Sequence, residues 1–189
     1  MLLGHKSQLD LRGFTLTAGR TGVVCDGLIC GDLGEPCSLG PCEVHGGTIV
    51  SAGSDVGVTG VRPVLHDLTI EGGLNLGVVV FGKGLLTNVT VNGCNDNGVQ
   101  GSGGLGKRTF GLLKVVDSTI TDNGRYGLFS SKSLTVTSSI VTGNGTGPGC
   151  VNAVACGDLT SGRRPHLKAT TCDHSVGGPT GTWGVCALA

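Results

Sequence analysis

The chain has 189 residues, with 13 basic and 13 acidic side chains, five histidines, nine cysteines and 37 glycines. Its formal net charge is zero and it has no basic stripe, which argues against a nucleic-acid-binding protein. No apolar run approaches the roughly 18 residues of a membrane-spanning helix. We therefore expect neither nucleic acid nor a membrane as a partner.

A short phrase recurs along the chain, and its copies align at one slot, which is threonine in all copies but one. The slot residues, in chain order, are Thr15, Thr48, Thr69, Thr90, Thr119, Ile140 and Thr171. Neighbouring slots are often about 21 residues apart, and the larger spacings indicate loop insertions. A period of this length is typical of a solenoid, in which each repeat forms one coil.

Each copy has three short apolar runs separated by polar and glycine residues, without helical periodicity. The residue after the slot, the residue four before it and one position of the second run are apolar throughout. In the second copy these are Ile49, Val44 and Val58. Since strand side chains alternate between faces, these columns predict the core. The sequence thus predicts an all-β chain, a single-stranded right-handed parallel β-helix (solenoid) of about seven coils.

The position two before the slot holds only Gly, Asp, Asn, Ser or Ala, which predicts a turn. Residues 1–189 are expected to form one domain, with loop insertions at 26–41, 102–112 and 152–165. We expect the second strands of the last two coils at 149–153 and 184–188, with Cys150 and Val185 in the core. No N-terminal cap is recognisable, which predicts a trimmed N-terminus, a fragment of a larger β-helix, or a homo-oligomer through uncapped end coils.

The cysteines form two groups near the ends of the predicted solenoid, and Cys94 stands apart. The groups are Cys25, Cys30, Cys37 and Cys42, then Cys150, Cys156, Cys172 and Cys186. Even groups of this kind predict disulfides in a secreted, extracellular or periplasmic protein. A zinc site in the first group is the alternative, and Cys94 is expected to be unpaired and partly buried. Residues 1–9 are too short and polar for a secretory signal, so the chain as given carries none.

Three phrases, LDLRGFTLT, LHDLTIEGGLNLGVVV and STITDNGRYGLF, resemble bacterial right-handed parallel β-helix repeat proteins of the pectate-lyase-like superfamily. The resemblance covers roughly residues 8–188. It implies a β-helix and a group that includes polysaccharide lyases, glycoside hydrolases, uronan epimerases and carbohydrate esterases. The paired aspartates of polygalacturonases and the calcium-carboxylate cluster of pectate lyases are missing, so the resemblance implies the fold and not the reaction.

Two outward columns before the slot carry an unusual set of ionisable residues. His45 and His66 occupy one column in successive coils, and we expect Arg12 above them. Glu43 and Asp10 belong to the neighbouring column. Because adjacent strands lie about 4.8 Å apart, the two histidines should stack with a carboxylate beside them.

This set of five residues predicts a catalytic site. His45, His66 and Glu43 could hold a divalent metal, zinc or calcium, which activates water. Without a metal, a histidine beside Glu43 could act as general base, with Arg12 stabilising negative charge. The two imidazoles are expected to disfavour each other's protonation. The alternative is an exposed, charge-balanced ladder without a catalytic role.

The outward slot face and one aromatic residue are candidates for substrate binding. They are Thr48, Thr69, Glu71 and Phe129. The leading hypothesis is a secreted hydrolase of an ester or glycosidic bond, with a polysaccharide or a small ester as substrate. The alternatives are a non-catalytic carbohydrate-binding or adhesion module, a polysaccharide lyase or epimerase-like enzyme, and an ice-binding protein that uses the threonine ladder.

Overall fold

A computed structural model describes most of the chain. The described residues are 1–4, 6–25, 28–29, 38–39, 41–51, 56–72, 75–102, 112–147, 150, 156–173, 175–177 and 181–184. They contain β-strands and turns. No helix in these ranges is long and apolar enough to cross a membrane.

Strands that carry the slot residues, together with the strands that lead into them, form an 11-stranded sheet, here called the slot sheet. Its members are β2 (Gln8–Asp10), β3 (Thr15–Ala18), β7 (Cys42–Ser51), β9 (Pro63–Glu71), β11 (Lys83–Asn92), β13 (Leu112–Val116), β14 (Thr119–Thr121), β16 (Ser133–Thr137), β17 (Ile140–Thr142), β19 (His166–Lys168) and β20 (Thr171–Cys172).

The second runs of the repeats form a nine-stranded sheet, here called the second sheet. Its members are β1 (Leu2–Leu3), β4 (Thr21–Cys25), β8 (Val56–Val61), β10 (Leu76–Phe81), β12 (Val99–Ser102), β15 (Tyr126–Ser130), β18 (Gly157–Ser161), β21 (Ser175–Gly177) and β22 (Gly181–Gly184). A short antiparallel pair, β5 (Leu28–Ile29) and β6 (Ser38–Leu39), lies within the first predicted insertion.

The slot residues pair with one another from coil to coil, as the repeat predicts. Thr15 pairs with Thr48, Thr48 with Thr69, and the series continues to Thr171. All pairings within the two sheets are parallel except β21 with β22. A chain that returns to the same sheet in parallel register at every repeat is a parallel β-helix, so the predicted fold class is confirmed.

The predicted core columns lie inside the coils. Val44, Ile49, Val58, Leu65 and Ile70 have no accessible surface. Each side chain packs on its column neighbours in the coils above and below, so the core is a set of stacked aliphatic rows. Burial of such side chains contributes roughly 1.5–3 kcal/mol each.

A column of left-handed residues bends the slot sheet at every coil. The position two before the slot has positive φ in all seven copies: Gly13, Gly46, Asp67, Asn88, Asp117, Ser138 and Ala169. The predicted turn column is confirmed. In β7, β9 and β11 the strand continues through this bend, so two of the three predicted runs of each coil belong to one sheet.

The first coil departs from the regular register, and the prediction that Arg12 lies above His45 is wrong. Asp10 pairs with His45, and Gln8 pairs with Glu43. Four residues, 11–14, separate the paired positions Asp10 and Thr15, whereas only two separate His45 and Thr48.

The longer turn keeps its aliphatic residue in the core. Leu11 is 9% exposed and fills the space beside Gly47, where an added Cβ would lie 2.5 Å from the Leu11 Cβ. The next coils have Leu68 and Val89 at the position of Gly47, and both are buried. The side chain that fills this row therefore comes from the extra turn in the first coil.

The sixth coil also differs from the prediction. Leu159, not Cys150, pairs with Leu128, and Leu159 is fully buried. Residues 157–161 therefore form β18, and the predicted insertion 152–165 is wrong over this part. The next strand of the second sheet is β21, ahead of the predicted run at 184–188, and Val185 lies outside the described residues.

Buried amides connect the later coils at the corner that follows the slot strands. The Asn144 Oδ1 atom accepts hydrogen bonds from the backbone and side-chain amides of Asn123. The Asn144 side chain donates to the carbonyls of Ile120 and Thr142 and to the fully buried Asp158 carboxylate. Such networks are stabilising only while every member is paired.

Disulfides occur in both cysteine groups. Cys25 is bonded to Cys42, Cys150 is bonded to Cys156, and Cys172 is also in a disulfide. The zinc alternative for the first group fails because two of its four sulfurs are oxidised. The remaining predicted partners, Cys30, Cys37 and Cys186, lie outside the described residues.

Cys94 is a free thiol, as predicted, but it is buried and not partly buried, and burial raises its pKa to about 12. It is therefore a packing residue and not a nucleophile. The disulfides are compatible with an extracellular or periplasmic protein.

We expect Asn144→Ala to lower the free energy of unfolding by about 2–3 kcal/mol, because buried partners in Asn123 and Asp158 lose their hydrogen bonds. Urea unfolding followed by circular dichroism measures the loss. Asn92→Ala is the control, since Asn92 is half-buried on the outward face of β11, and should cost less than about 0.5 kcal/mol. Equal losses in the two variants would contradict the role of the buried amides.

Candidate functional site

The two histidines lie face to face on the outer surface of the slot sheet. His45 in β7 pairs with His66 in β9, and their ring centroids are 4.5 Å apart with an interplanar angle of 8°. Both precede the left-handed residue of their coil, Gly46 and Asp67. The predicted stacking is confirmed, and parallel register is its cause.

His66 lies between two carboxylates. Its Nε2 atom is 2.7 Å from Glu43 Oε1, and its Nδ1 atom is 2.9 Å from Asp67 Oδ2. The other Asp67 oxygen accepts a hydrogen bond from the Asn88 side-chain amide at 2.6 Å. Asp67 therefore both forms the bend and orients the His66 ring, whereas the sequence favoured the first of these two roles over the second.

His45 has a similar arrangement on the other side of the stack. Its Nδ1 atom is 3.6 Å from Asp10 Oδ1, and its Nε2 atom is 2.9 Å from the Gln8 side-chain amide nitrogen. Gly46 makes room for Asp10, because an added Cβ would lie 2.7 Å from the Asp10 carboxylate. The structure thus joins Gln8, Asp10, Glu43, His45, His66 and Asp67 in one group, here called the histidine cluster.

Arg12 lies at the edge of the cluster. Its Nε atom is 3.5 Å from Asp10 Oδ2, and its backbone amide donates to Asp10 Oδ1 at 2.9 Å. The Arg12 side chain is 80% exposed and contacts the cluster only through Asp10. The predicted position of Arg12 above His45 belongs instead to Asp10.

The two carboxylates determine the protonation of His66. Hydrogen bonds with Asp67 and then Glu43 raise the pKa of His66 above 6.5, and burial opposes them only in part. The same hydrogen bond from His66, followed by that from Asn88, lowers the pKa of Asp67 below 3.8. For His66, the two carboxylates therefore outweigh the unfavourable effect expected from the neighbouring imidazole.

A basic groove begins where the cluster ends. Glu43 pairs with Val64, Val64 with Leu85, and Leu85 with Lys114, so these residues form one outward column. Val64 and Leu85 line the floor of a groove of about 390 Å³.

Three cationic side chains, Arg62, Lys83 and Lys114, also line this groove, which we call the basic groove. The described lining residues include no carboxylate. Lys83 and Lys114 form no ion pair with any described residue. The groove therefore offers an apolar floor and positive charge to an extended ligand that reaches Glu43.

A family model described as "Right handed beta helix region" matches residues 11–168. The chain belongs to this right-handed β-helix family. No curated protein and no solved structure gives a significant match. Family membership shows the architecture, including its handedness, and the chemistry has to be inferred from the site of this β-helix itself.

The predicted substrate-binding residues lie on two different faces of the β-helix. Thr48 and Thr69 pair directly on the slot sheet, and Glu71 lies two residues further along β9. Phe129 belongs to the second sheet, where it pairs with Gln100 and Thr160, and its ring lies 5.9 Å from Tyr126. The structure therefore does not combine Phe129 with the threonines in one site.

Sequence reasoning missed Gln8 and the basic groove of this β-helix, and it ranked the orienting role of Asp67 below its role in the turn. Gln8 was missed because the extra turn residues shift the first coil by two positions. The signal for this shift was Gly47, which has no side chain at the position where the next two coils have Leu68 and Val89. Arg62, Lys83 and Lys114 lie in three successive coils, but they come from two columns, so no single aligned column contains them.

We expect the pKa of the His66 ring in metal-free protein to lie above 6.5. Asp67→Asn should lower this pKa, because the hydrogen bond with the Asp67 carboxylate is the largest cause of its increase. Asparagine also tolerates positive φ, so the bend is preserved. Histidine proton resonances followed by NMR against pH measure the change. An unchanged titration in the variant would contradict the assigned role of Asp67.

The same pair makes stability depend on pH. His66 has a raised pKa, so its contribution to the free energy of unfolding is fully present below pH 6.5 and is lost as the pH rises through the raised pKa. Asp67 has a lowered pKa, so its contribution is present above 3.8 and is lost as pH falls through the lowered value. The difference in free energy of unfolding between the wild type and Asp67→Asn should therefore be largest between pH 3.8 and pH 6.5.

Proposed function

We propose that the protein is a secreted hydrolase that cleaves an ester or glycosidic bond in a polysaccharide. The substrate would lie along the basic groove, and the histidine cluster would activate the attacking water. The observation that carries this proposal is the shared column, in which Glu43 of the cluster is followed directly by Val64 and Leu85 of the groove floor.

The cluster has the groups that water activation requires. Histidine nitrogens and a carboxylate can accept a proton from water, or can hold a metal ion that lowers the pKa of water. The Glu43 side chain is 39% exposed and the His66 side chain is 30% exposed, so a water molecule and a substrate can both reach them. Asp67 is hydrogen-bonded to the far side of the His66 ring, and Asp10 lies within ion-pair distance of the far side of the His45 ring.

The groove indicates the kind of substrate. A length of several coils suits an extended chain, since adjacent strands are about 4.8 Å apart. Lys83 and Lys114 favour acidic groups such as carboxylates or sulfates, because neither forms an ion pair with any described residue. The aliphatic floor can contact the apolar faces of sugar rings. These features support an acidic polysaccharide over a small neutral ester.

A non-catalytic carbohydrate-binding module is the second candidate, and the groove itself favours it. Its positive charge and apolar floor would bind an acidic glycan whether or not the cluster is reactive. The two candidates differ in what the cluster contributes. Binding that survives loss of both histidines, with no turnover in the wild type, would support the binding module.

We expect His45→Ala and His66→Ala each to reduce kcat by at least about 100-fold on a cleavable substrate, because proton transfer or metal-bound water is lost. The assay uses chromogenic esters, sulfate esters, glycosides and polyuronates. His166→Ala is the control, since His166 lies in the last coil. Full activity in both cluster variants would exclude this site, and an unsaturated product would indicate elimination in place of hydrolysis.

We expect the double variant Lys83→Gln/Lys114→Gln to raise KM for an acidic polysaccharide by about 3–10-fold, as two exposed ion pairs are lost. The value of kcat should change little, and the effect should shrink at high ionic strength. Lys168→Gln is the matched control, because Lys168 is an exposed lysine of the slot sheet in the last coil. An equal KM change for a neutral substrate would contradict a role for charge.

A further inference from the structure

We infer that Glu43, His45 and His66 bind a divalent transition-metal ion of the zinc type. This inference deepens the proposed hydrolase, because it names the group that would activate water, but metal binding can be measured without any substrate. The three side chains can each offer one ligand atom, and these atoms lie within 4.8 Å of one another. They belong to neighbouring strands, β7 and β9, whose register keeps them together.

Orientation of the rings is the first argument. Metal-binding histidines usually donate their second ring N–H to a carboxylate, which fixes the tautomer and directs the free nitrogen at the metal. His66 has this arrangement, because Asp67 lies 2.9 Å from its Nδ1 atom, and in His45 the Asp10 carboxylate lies on the same side of the ring, 3.6 Å from Nδ1, which is within ion-pair but not hydrogen-bond distance. The two Nε2 atoms are therefore the nitrogens left for a metal.

The second argument is what the Nε2 atoms now contact. His66 Nε2 shares a hydrogen bond with Glu43 Oε1, so one proton lies between two atoms that are both metal ligands. His45 Nε2 lies 2.9 Å from the Gln8 side-chain amide nitrogen, which can donate to its lone pair. A cation that enters here replaces one proton and displaces one neutral amide, and it disturbs no buried part of the fold.

The distances require only a small adjustment. Zinc bonds of about 2.0–2.2 Å place neighbouring ligand atoms of a tetrahedron roughly 3.4 Å apart. The most widely separated ligand atoms must therefore close by up to about 1.4 Å from a span of at most 4.8 Å, whereas His66 Nε2 and Glu43 Oε1, now 2.7 Å apart, must separate by roughly 0.7 Å. A tilt of the stacked rings and a rotation of Glu43 provide both movements. Glu43 is partly exposed and can make that rotation.

The ligand set selects the kind of metal. Two imidazole nitrogens and one carboxylate suit zinc and similar transition metals, whereas calcium takes six to eight oxygen ligands. Three protein ligands leave a fourth position for water, which is the arrangement of catalytic rather than structural zinc sites. The solvent-exposed side of Glu43 and His66 is where that water would bind.

The experiment is a titration of untagged, chelator-treated protein with zinc chloride by isothermal titration calorimetry. We expect one ion per chain for the wild type and an affinity at least 100-fold weaker for His45→Ala and for His66→Ala. Asp67→Asn should weaken binding by about 10–100-fold, the usual effect of losing a carboxylate behind a metal-binding histidine. Its matched control is Asp117→Asn, since Asp117 has the same positive φ two coils further along.

Cobalt substitution gives a second readout. Visible absorption bands of a low-coordinate nitrogen and oxygen site should appear in the wild type and in Asp117→Asn, should need more cobalt in Asp67→Asn, and should be absent from the two histidine variants. Thermal unfolding checks that each variant is folded. No zinc binding by folded wild type, calcium binding tighter than zinc, or binding unchanged in both histidine variants would overturn the inference. Zinc bound at the cluster without hydrolysis of any substrate would refute the proposed enzyme alone, and chelator-resistant hydrolysis without zinc binding would refute the metal alone.

Discussion

Backbone hydrogen bonds between successive coils keep every strand in parallel register with its predecessor, and the other features of this molecule follow from that register. A residue at one position of a coil lies about 4.8 Å from the residue at the same position in the next coil. The aliphatic rows of the core, the buried Asn123–Asn144 pair and the stacked rings of His45 and His66 are consequences of this repetition. The register therefore brings together side chains from residues that are about 21 positions apart.

The sequence predicts a feature of this fold where a side chain repeats in a column, and it fails where a coil changes length. The slot residues, the core rows and the left-handed column could be recognised because each is a local property that recurs. The first coil could not be aligned, since Leu11 moves into the row that Gly47 leaves empty and carries Asp10 over His45. In the sixth coil, Leu159 occupies the core row that the sequence assigned to Cys150. Both residues are apolar, so composition alone does not show which of them lies in the core.

The candidate site occupies the place where this regularity is broken. A first coil with the regular turn would place Arg12 beside His45, and a cation there would oppose metal binding. The longer turn brings the Asp10 carboxylate to His45 instead and moves the guanidinium to the surface. Gly46 admits that carboxylate because it has no side chain. The irregular turn and the glycines next to it therefore determine whether the stacked histidines form a site or an ordinary surface ladder.

Charge within the cluster is a further reason to expect a cation there, because three carboxylates, Asp10, Glu43 and Asp67, surround two imidazole rings. Among the described residues, Arg12 is the lysine or arginine side chain ion-paired with these carboxylates, and it is 80% exposed and contacts Asp10 from the edge of the cluster. The cations of the basic groove lie on the other side of Glu43, where they could attract an acidic substrate without neutralising the carboxylate of the proposed metal site.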